Sequence, residues 1–194
     1  MNNKNQLTLH IDLDGTLMDL HSAIEHIDSE DSKKSESQFK SALESFAFIS
    51  PKPGAVEAYK QLSQYYKIHI VSTDCQSNAN TWLNKVNWVK RHFGEEACNH
   101  LIFTQDYSLL KGNYLIDARN VNEFGSFDGI QLQLGSEIFP DWECIKVFLL
   151  LYSLPSEYTD QEKDLSLLLH DEEEKFLGNI RGTDQYYAKM AESE

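Results

Sequence analysis

Short runs in which apolar and polar residues alternate recur along this chain, and the first lies close to its first residue. The run Leu7-Thr8-Leu9-His10-Ile11 has the period of two that is typical of a β-strand. Further short apolar runs predict strands at 68–71, 101–103, 114–116 and 130–134. The pattern therefore predicts five strands spread over most of the chain.

Between these runs, apolar residues recur every three or four positions, which is the spacing of one face of a helix. This spacing predicts a helix that carries Val56, Tyr59 and Leu62 and a last helix that begins near Asp141. The longest predicted helix turns one face to the core, and that face carries Trp82, Val86, Val89 and Phe93. Alternating strands and helices predict an α/β fold with a parallel sheet covered on both faces.

A small helical insertion is predicted between the first strand and the proline-containing turn at 51–54. Apolar residues at helical spacing flank a charged, serine-rich stretch at 28–38, namely Leu20, Ile24, Ile27, Phe39, Leu43 and Phe46. We therefore predict a core built from residues 1–18 and 51–155, with a cap at residues 19–50.

The size and charge of the chain restrict its class. Its 194 residues suffice for one α/β core with a small insertion, but not for two full domains. The net charge of -14 argues against a nucleic-acid polymer as partner, because binding DNA or RNA depends on basic groups. No apolar run is long enough to span a membrane. With three scattered cysteines and no apolar leader at the start, we expect a reduced, cytoplasmic protein.

The last part of the chain is strongly acidic, with eleven acidic and four basic residues after residue 155. Such a stretch is most often a solvated helix or a frayed tail, and an interaction tail is the alternative. We assign no chemistry to residues 156–194 and describe them as an acidic C-terminal extension.

The candidate chemistry lies directly after the first strand, in the sequence Asp12-Leu13-Asp14-Gly15-Thr16. Two carboxylates one residue apart converge only if the backbone curls after the strand, and Gly15 permits that curl. On this interpretation Asp12 attacks the phosphorus of a phosphate monoester, while Asp14 acts as general acid and then as general base. A magnesium ion would neutralise the charge between the two anions. An ordinary Asp-Gly turn is the alternative.

These five residues match the first motif of the haloacid dehalogenase-like phosphohydrolases. Further blocks resemble the cytosolic type of 5'(3')-deoxyribonucleotidase, and they lie in the same order at 53–58, 88–94, 114–117, 134–136 and 140–143. The resemblance implies a Rossmann-like core, a helical cap, Mg²⁺ as cofactor and hydrolysis of deoxyribonucleoside monophosphates. It does not decide whether the protein is a monomer or a homodimer.

The resemblance also implies roles for single residues. Asp12 matches the nucleophile and Asp14 the general acid and base. We expect the protein ligands of Mg²⁺ to be Asp12, the backbone carbonyl of Asp14, and Asp117. A hydroxyl at the end of the second strand should hold the phosphate, and both Ser72 and Thr73 are candidates. An alignment without gaps favours Ser72.

Two departures from the family pattern concern the same site. Tyr107 stands where the family has a lysine, and Lys85 and Lys111 are candidate substitutes for its charge on the phosphate. Ala118 replaces a carboxylate that should bind the metal directly, which should weaken Mg²⁺ binding.

Two functional hypotheses follow from the sequence. The first is a Mg²⁺-dependent phosphatase that acts on a small monophosphate, with a deoxyribonucleotide as the expected substrate. The second is a degenerate relative that binds a phosphorylated ligand or a protein partner without turnover. The intact pair Asp12 and Asp14 favours the first, whereas Ala118 and Tyr107 favour the second.

Overall fold

The computed structural model describes residues 6–22, 46, 48–73, 79–119 and 124–152. Most of the predicted cap and the whole acidic extension lie outside these residues. The chain divides into two compact units, residues 1–132 and residues 133–194. They are described separately below.

A five-stranded sheet forms the centre of the first unit. Its strands are β1 (Thr8–Asp12), β4 (Lys67–Ser72), β5 (Leu101–Phe103), β6 (Tyr114–Asp117) and β7 (Ile130–Gln133). They lie side by side in the order β5-β4-β1-β6-β7. The pairs β1 with β4, β1 with β6 and β4 with β5 are parallel.

The predicted α/β fold is confirmed, and each predicted strand is present within one or two residues of its expected bounds. The central strand β1 is buried on both faces, as expected for a parallel strand between two neighbours. Leu9 and Ile11 have no exposed surface, and His10 and Asp12 on the opposite face are equally buried. A buried carboxylate at the end of this strand needs partners inside the protein.

Two short strands lie near the two ends of the predicted insertion. β2 (Met18–Asp19) pairs in antiparallel fashion with β3 (Ser50–Pro51). The predicted insertion therefore begins and ends at neighbouring positions. The helices that it should contain lie outside the described residues.

Three helices of the first unit are described: α1 (Ala55–Leu62), α2 (Ala79–Phe93) and the short α3 (Glu95–Cys98). The rings of Tyr59 on α1 and Phe93 on α2 meet edge to face with centroids 4.9 Å apart. The predicted core face of α2 is partly wrong, because Trp82 is 43% exposed and instead stacks on Phe103. The buried residues of α2 are Lys85, Trp88 and Val89.

In the second unit, α4 (Trp142–Val147) begins where the sequence predicts a last helix. The side chain of Asp141 accepts a hydrogen bond from the backbone N–H of Cys144 and so caps this helix. A further helical turn, Phe148–Tyr152, continues from it. Among the described residues, no helix combines the length and the apolar composition needed to cross a bilayer.

Candidate active site

Polar side chains meet at the carboxyl ends of the three middle strands of the sheet. Asp12, Ser72 and Asp117 are the last residues of β1, β4 and β6, and all three are fully buried. In open α/β sheets, ligands bind outside this edge, at the point where the strand order changes direction. Here that point is β1, because the strands β4 and β5 lie on one side of it and the later strands β6 and β7 lie on the other.

The predicted backbone curl after β1 is present. Residues Leu13–Leu17 form a single wide turn in which Gly15 has a φ of 86°, a conformation that favours glycine. The turn brings the hydroxyl of Thr16 within 3.1 Å of Asp12 Oδ2, to which it donates. Thr16 Oγ1 also accepts from the backbone N–H of Ala118 at 2.9 Å. One hydroxyl therefore connects the first motif to the loop after β6.

Asp14 has its own set of partners, which includes two of the predicted phosphate-binding residues. Asp14 Oδ2 accepts a hydrogen bond from Ser72 Oγ at 2.8 Å and an ion-pair contact from Lys85 Nζ at 2.8 Å. Lys85 Nζ also donates to Ser72 Oγ at 2.9 Å. The Lys85 side chain is 1% exposed, so its charge is compensated inside the protein by Asp14.

Arg119, which the sequence interpretation did not select, lies at the centre of the site. Its Nη2 donates to Asp12 Oδ1 at 2.6 Å and to Asp117 Oδ2 at 3.1 Å. Its Nε donates to Asp117 Oδ1 at 3.1 Å, and its Nη1 donates to Thr73 Oγ1 at 2.8 Å. The guanidinium carbon also lies 4.5 Å from the ring centroid of Phe124. One planar cation thus connects the ends of three neighbouring strands.

Tyr107 joins the same network. Its hydroxyl lies 2.7 Å from Asp117 Oδ2 and 3.3 Å from Asp12 Oδ1, and it accepts from Arg119 Nη2 at 2.9 Å. A phenol has one proton to donate, so the shorter contact to Asp117 takes it. Tyr107 therefore supplies a hydrogen bond to a carboxylate rather than the positive charge of the lysine expected there.

The electrostatics of the site are those of three carboxylates close to two cations. Burial, and then the negative charge of Asp117, raise the pKa of Asp12 well above its ordinary value, although Arg119 opposes this shift. Burial, and then the charge of Asp12, raise the pKa of Tyr107. Burial lowers the pKa of Arg119, but its hydrogen bond to Asp117 and the charge of Asp12 outweigh this effect, and the net shift is upward.

The carboxylates of Asp12 and Asp117, which are predicted to hold Mg²⁺ together with the backbone carbonyl of Asp14, do not fit a metal ion in this arrangement. Both oxygens of Asp117 accept hydrogen bonds from Arg119, and Asp12 Oδ1 is also bound by Arg119. Asp14 directs Oδ2 to Lys85 and Ser72 instead. Within the described part of the chain, no group of three or more His, Cys, Asp or Glu side chains could hold a metal ion.

The structure brings together most of the predicted site residues and leaves one apart. Asp12, Asp14, Ser72, Thr73, Lys85 and Asp117 all belong to the network described above. Lys111 precedes β6 at the opposite edge of the sheet, where it forms an exposed ion pair with Asp128 at 2.7 Å. It is not positioned to reach a phosphate bound near Asp12.

The sequence of the chain is similar to a family described as 5' nucleotidase, deoxy (pyrimidine), cytosolic type C protein, over residues 28–139. It is 32% identical to a protein of Vibrio phage KVP40, provisionally named a 5'(3')-deoxyribonucleotidase, over 73% of this chain and 83% of the phage protein. It is 29% identical to the mitochondrial 5'(3')-deoxyribonucleotidase of Mus musculus, over 52% of this chain and 41% of the mouse protein.

A third relative, from Bordetella bronchiseptica, is also provisionally named a 5'(3')-deoxyribonucleotidase. It is 39% identical over 38% of this chain and 40% of the bacterial protein. The chain thus spans most of the phage protein, but less than half of the mouse and bacterial proteins.

Proposed function

Because the chain belongs to the cytosolic type C 5'-nucleotidase family, whose members are phosphatases of the haloacid dehalogenase-like type, we propose that it hydrolyses a small phosphate monoester through an aspartyl-phosphate on Asp12. A deoxyribonucleoside monophosphate is the substrate class that the names of its relatives favour. The observation that carries the proposal is the cluster of Asp12, Asp14, Ser72 and Lys85 at the carboxyl edge of the sheet.

In the first step, a carboxylate oxygen of Asp12 forms a bond to phosphorus and the bond from phosphorus to the ester oxygen breaks. Asp14 donates a proton to the leaving alkoxide, which would otherwise be a poor leaving group. In the second step, Asp14 takes a proton from a water molecule as that water attacks the phosphorus, and phosphate leaves Asp12. Both steps require Asp14 to stay close to the reacting oxygen, and its contacts with Lys85 and Ser72 restrict its position.

Positive charge and hydroxyl donors near Asp12 suit a phosphoryl group. Its oxygens carry negative charge that increases near the transition state, so fixed donors stabilise it. The hydroxyls of Ser72 and Thr73 and the cations Lys85 and Arg119 lie along the ends of β4 and β6. Ser72, Thr73 and Lys85 are the residues that we propose to bind phosphate, whereas Lys111 lies too far along the sheet to contribute.

The test is phosphate release from a panel of deoxyribonucleoside and ribonucleoside monophosphates and from an aryl phosphate, each with Mg²⁺ and with EDTA. The resemblance implies dependence on Mg²⁺, and the two conditions measure whether it holds for this chain. Asp12→Asn is expected to lower kcat/KM by at least about a thousandfold, since it removes the nucleophile. Equal rates for wild type and Asp12→Asn would refute the proposal.

One observation favours the second hypothesis, a relative that binds a phosphorylated ligand without turnover. Asp12 has no exposed surface, and Arg119 and Tyr107 occupy the space beside its Oδ1. A substrate therefore reaches Asp12 only after a neighbouring side chain moves. This hypothesis predicts that inorganic phosphate raises the melting temperature while no member of the panel is hydrolysed.

A further inference from the structure

The guanidinium of Arg119 lies between the two carboxylates that the sequence assigns to a metal ion. It contacts Asp12 at 2.6 Å and Asp117 at 3.1 Å, and both of these side chains are fully buried. Two buried carboxylates side by side are costly unless a cation compensates them. In this structure the compensating cation is part of the chain.

The hydrogen bonds of Asp117 leave little room for a second cation. Asp117 Oδ1 accepts from the backbone N–H of Arg119 at 2.8 Å and from its Nε at 3.1 Å. Asp117 Oδ2 accepts from Tyr107 at 2.7 Å and from Arg119 Nη2 at 3.1 Å. A carboxylate has about four lone-pair positions, so four donors satisfy it. A metal ion could bind only by displacing one of these donors.

The neighbouring residues point the same way. Ala118 cannot offer a carboxylate, and its backbone N–H is already bonded to Thr16. A divalent ion on Asp12 would also repel the guanidinium, because both charges would share Oδ1. Octahedral oxygen coordination, which Mg²⁺ requires, is therefore opposed by sterics, by charge and by the missing ligand.

We propose that Arg119 replaces the divalent cation in this site, so that the wild-type chain binds no metal ion between Asp12 and Asp117. Arg119 is then a permanent internal counter-ion, fixed by Thr73 and Phe124 on its other sides. If the chain hydrolyses phosphate esters as proposed above, the replacement of the metal ion by Arg119 makes that hydrolysis independent of Mg²⁺. This catalytic consequence rests on the proposed function. The binding claim stands without any activity.

The direct test is Mn²⁺ binding, followed through the electron paramagnetic resonance signal of free Mn²⁺ during titration with the full chain. Mn²⁺ accepts the same oxygen ligands as Mg²⁺ and provides a readout that needs no substrate. Wild type should show no Mn²⁺ binding that depends on Asp117. Arg119→Ala should gain one Mn²⁺ at this site, because the competing charge is gone.

Carboxylates elsewhere in this acidic chain also attract Mn²⁺, so each variant is paired with the same variant carrying Asp117→Asn. Only the difference within a pair is assigned to the site. Arg91→Ala is the matched control, since Arg91 is exposed on α2 and its loss removes the same charge far from Asp117. If Arg119→Ala does not fold, Arg119→Gln removes the charge but keeps two N–H donors.

Two results of the Mn²⁺ titration would overturn the proposal. One is stoichiometric Mn²⁺ binding by wild type that Asp117→Asn abolishes. The other is a folded Arg119→Ala or Arg119→Gln variant that gains no Mn²⁺ binding. Hydrolysis that is equal in Mg²⁺ and in EDTA supports the proposal, whereas hydrolysis stopped by EDTA and restored by Mg²⁺ refutes it. Absence of hydrolysis in both conditions refutes only the proposed function, because the Mn²⁺ result is independent of it.

Discussion

Three acidic side chains at the end of the sheet are stabilised by cations of the same chain. Asp12 and Asp117 share Arg119, while Asp14 is paired with Lys85. Loss of one partner of these contacts should lower the free energy of unfolding more than loss of a surface ion pair does, because it leaves a charge with little access to water. Stability and chemistry therefore depend on the same residues.

Removal of the Arg119 side chain should destabilise the protein. Arg119→Ala leaves Asp12 and Asp117 buried beside each other without a cation, and we expect the free energy of unfolding to fall by about 2–3 kcal/mol. Urea denaturation measures this change at neutral pH. The control Arg91→Ala should stay within about 0.5 kcal/mol of wild type. Equal stabilities for Arg119→Ala and Arg91→Ala would contradict the network described here.

Lys85 should act through Asp14. Lys85→Met removes the charge that fixes Asp14, and we expect kcat for a deoxyribonucleotide to fall about a hundredfold, the lower range for a general acid or base. An aryl phosphate has a better leaving group and should lose less, so the ratio of the two rates is the diagnostic measurement. Lys90→Met on the same helix, where Lys90 is exposed, is the control. A uniform loss on both substrates would indicate that Lys85 acts on the phosphate, which both substrates share, and not through Asp14.

The sequence predicts part of this site for clear reasons. Asp12 and Asp14 lie within one short motif, so their proximity follows from local backbone geometry. Arg119 is 107 positions from Asp12 along the chain, and only the pairing of β1 with β6 brings the two together. A signal was nevertheless present, since three carboxylates at one sheet edge require nearby cations, and Arg119 follows Asp117 by two residues.

At the scale of elements, strand prediction succeeds because the runs are short, apolar and bounded by polar turns. The helical face of α2 was harder to predict. Trp82 has helical spacing with Val86 and Val89, yet it is exposed, while the polar Lys85 occupies the buried face. Hydrophobic periodicity does not predict a lysine on a buried face. Lys85 is buried there because its charge is paired with Asp14, which lies on another element.

The connection between β6 and β7 depends on a close backbone approach at Gly129. A Cβ atom at this position would lie 2.6 Å from the carbonyl oxygen of Asn113 and 2.8 Å from that of Gly112. Gly129→Ala should therefore destabilise the fold by about 1–3 kcal/mol through overpacking. Asp128→Ala changes the preceding exposed residue and is the control. A thermal melt that is unchanged in Gly129→Ala would show that this approach is not required.

A row of histidines crosses the middle strands and should make stability depend on pH. The ring centroids of His10 and His69 lie 5.4 Å apart, and those of His69 and His100 are separated by the same distance. The charges of His10, Lys67 and His100 act on His69. Burial, and then the charge of His10, lower the pKa of His69 to about 4, from 6.5. Between about pH 4 and pH 6.5 the His69 side chain binds more protons in the unfolded chain than in the folded chain. The free energy of unfolding therefore keeps the full contribution of neutral His69 above about pH 6.5 and decreases as the pH falls below it.

The prediction is that the melting temperature of wild type falls between about pH 7 and about pH 5 more steeply than that of His69→Gln. His21→Asn replaces an exposed histidine outside the row and should follow wild type. Parallel pH profiles for wild type and His69→Gln would show that the row does not contribute.

For the molecule as a whole, the strand order explains why one edge carries the chemistry. With β1 in the middle, the ends of β4 and β6 lie on either side of Asp12, so residues distant in sequence converge there. Family membership and this geometry agree on a phosphatase-type site, in which Arg119 binds the two carboxylates that the sequence assigns to a metal ion.

The most direct test of the proposed function is detection of a phosphoryl group on Asp12. We would react the protein with an aryl phosphate, quench it in acid and locate the added phosphoryl mass by peptide mass spectrometry. Asp14→Asn should accumulate this adduct, because the aryl leaving group needs no acid while the attacking water has lost its base. We expect the adduct on the peptide that contains Asp12, and none in Asp12→Asn. Release of phosphate at the wild-type rate without any adduct on Asp12 would contradict the proposed function.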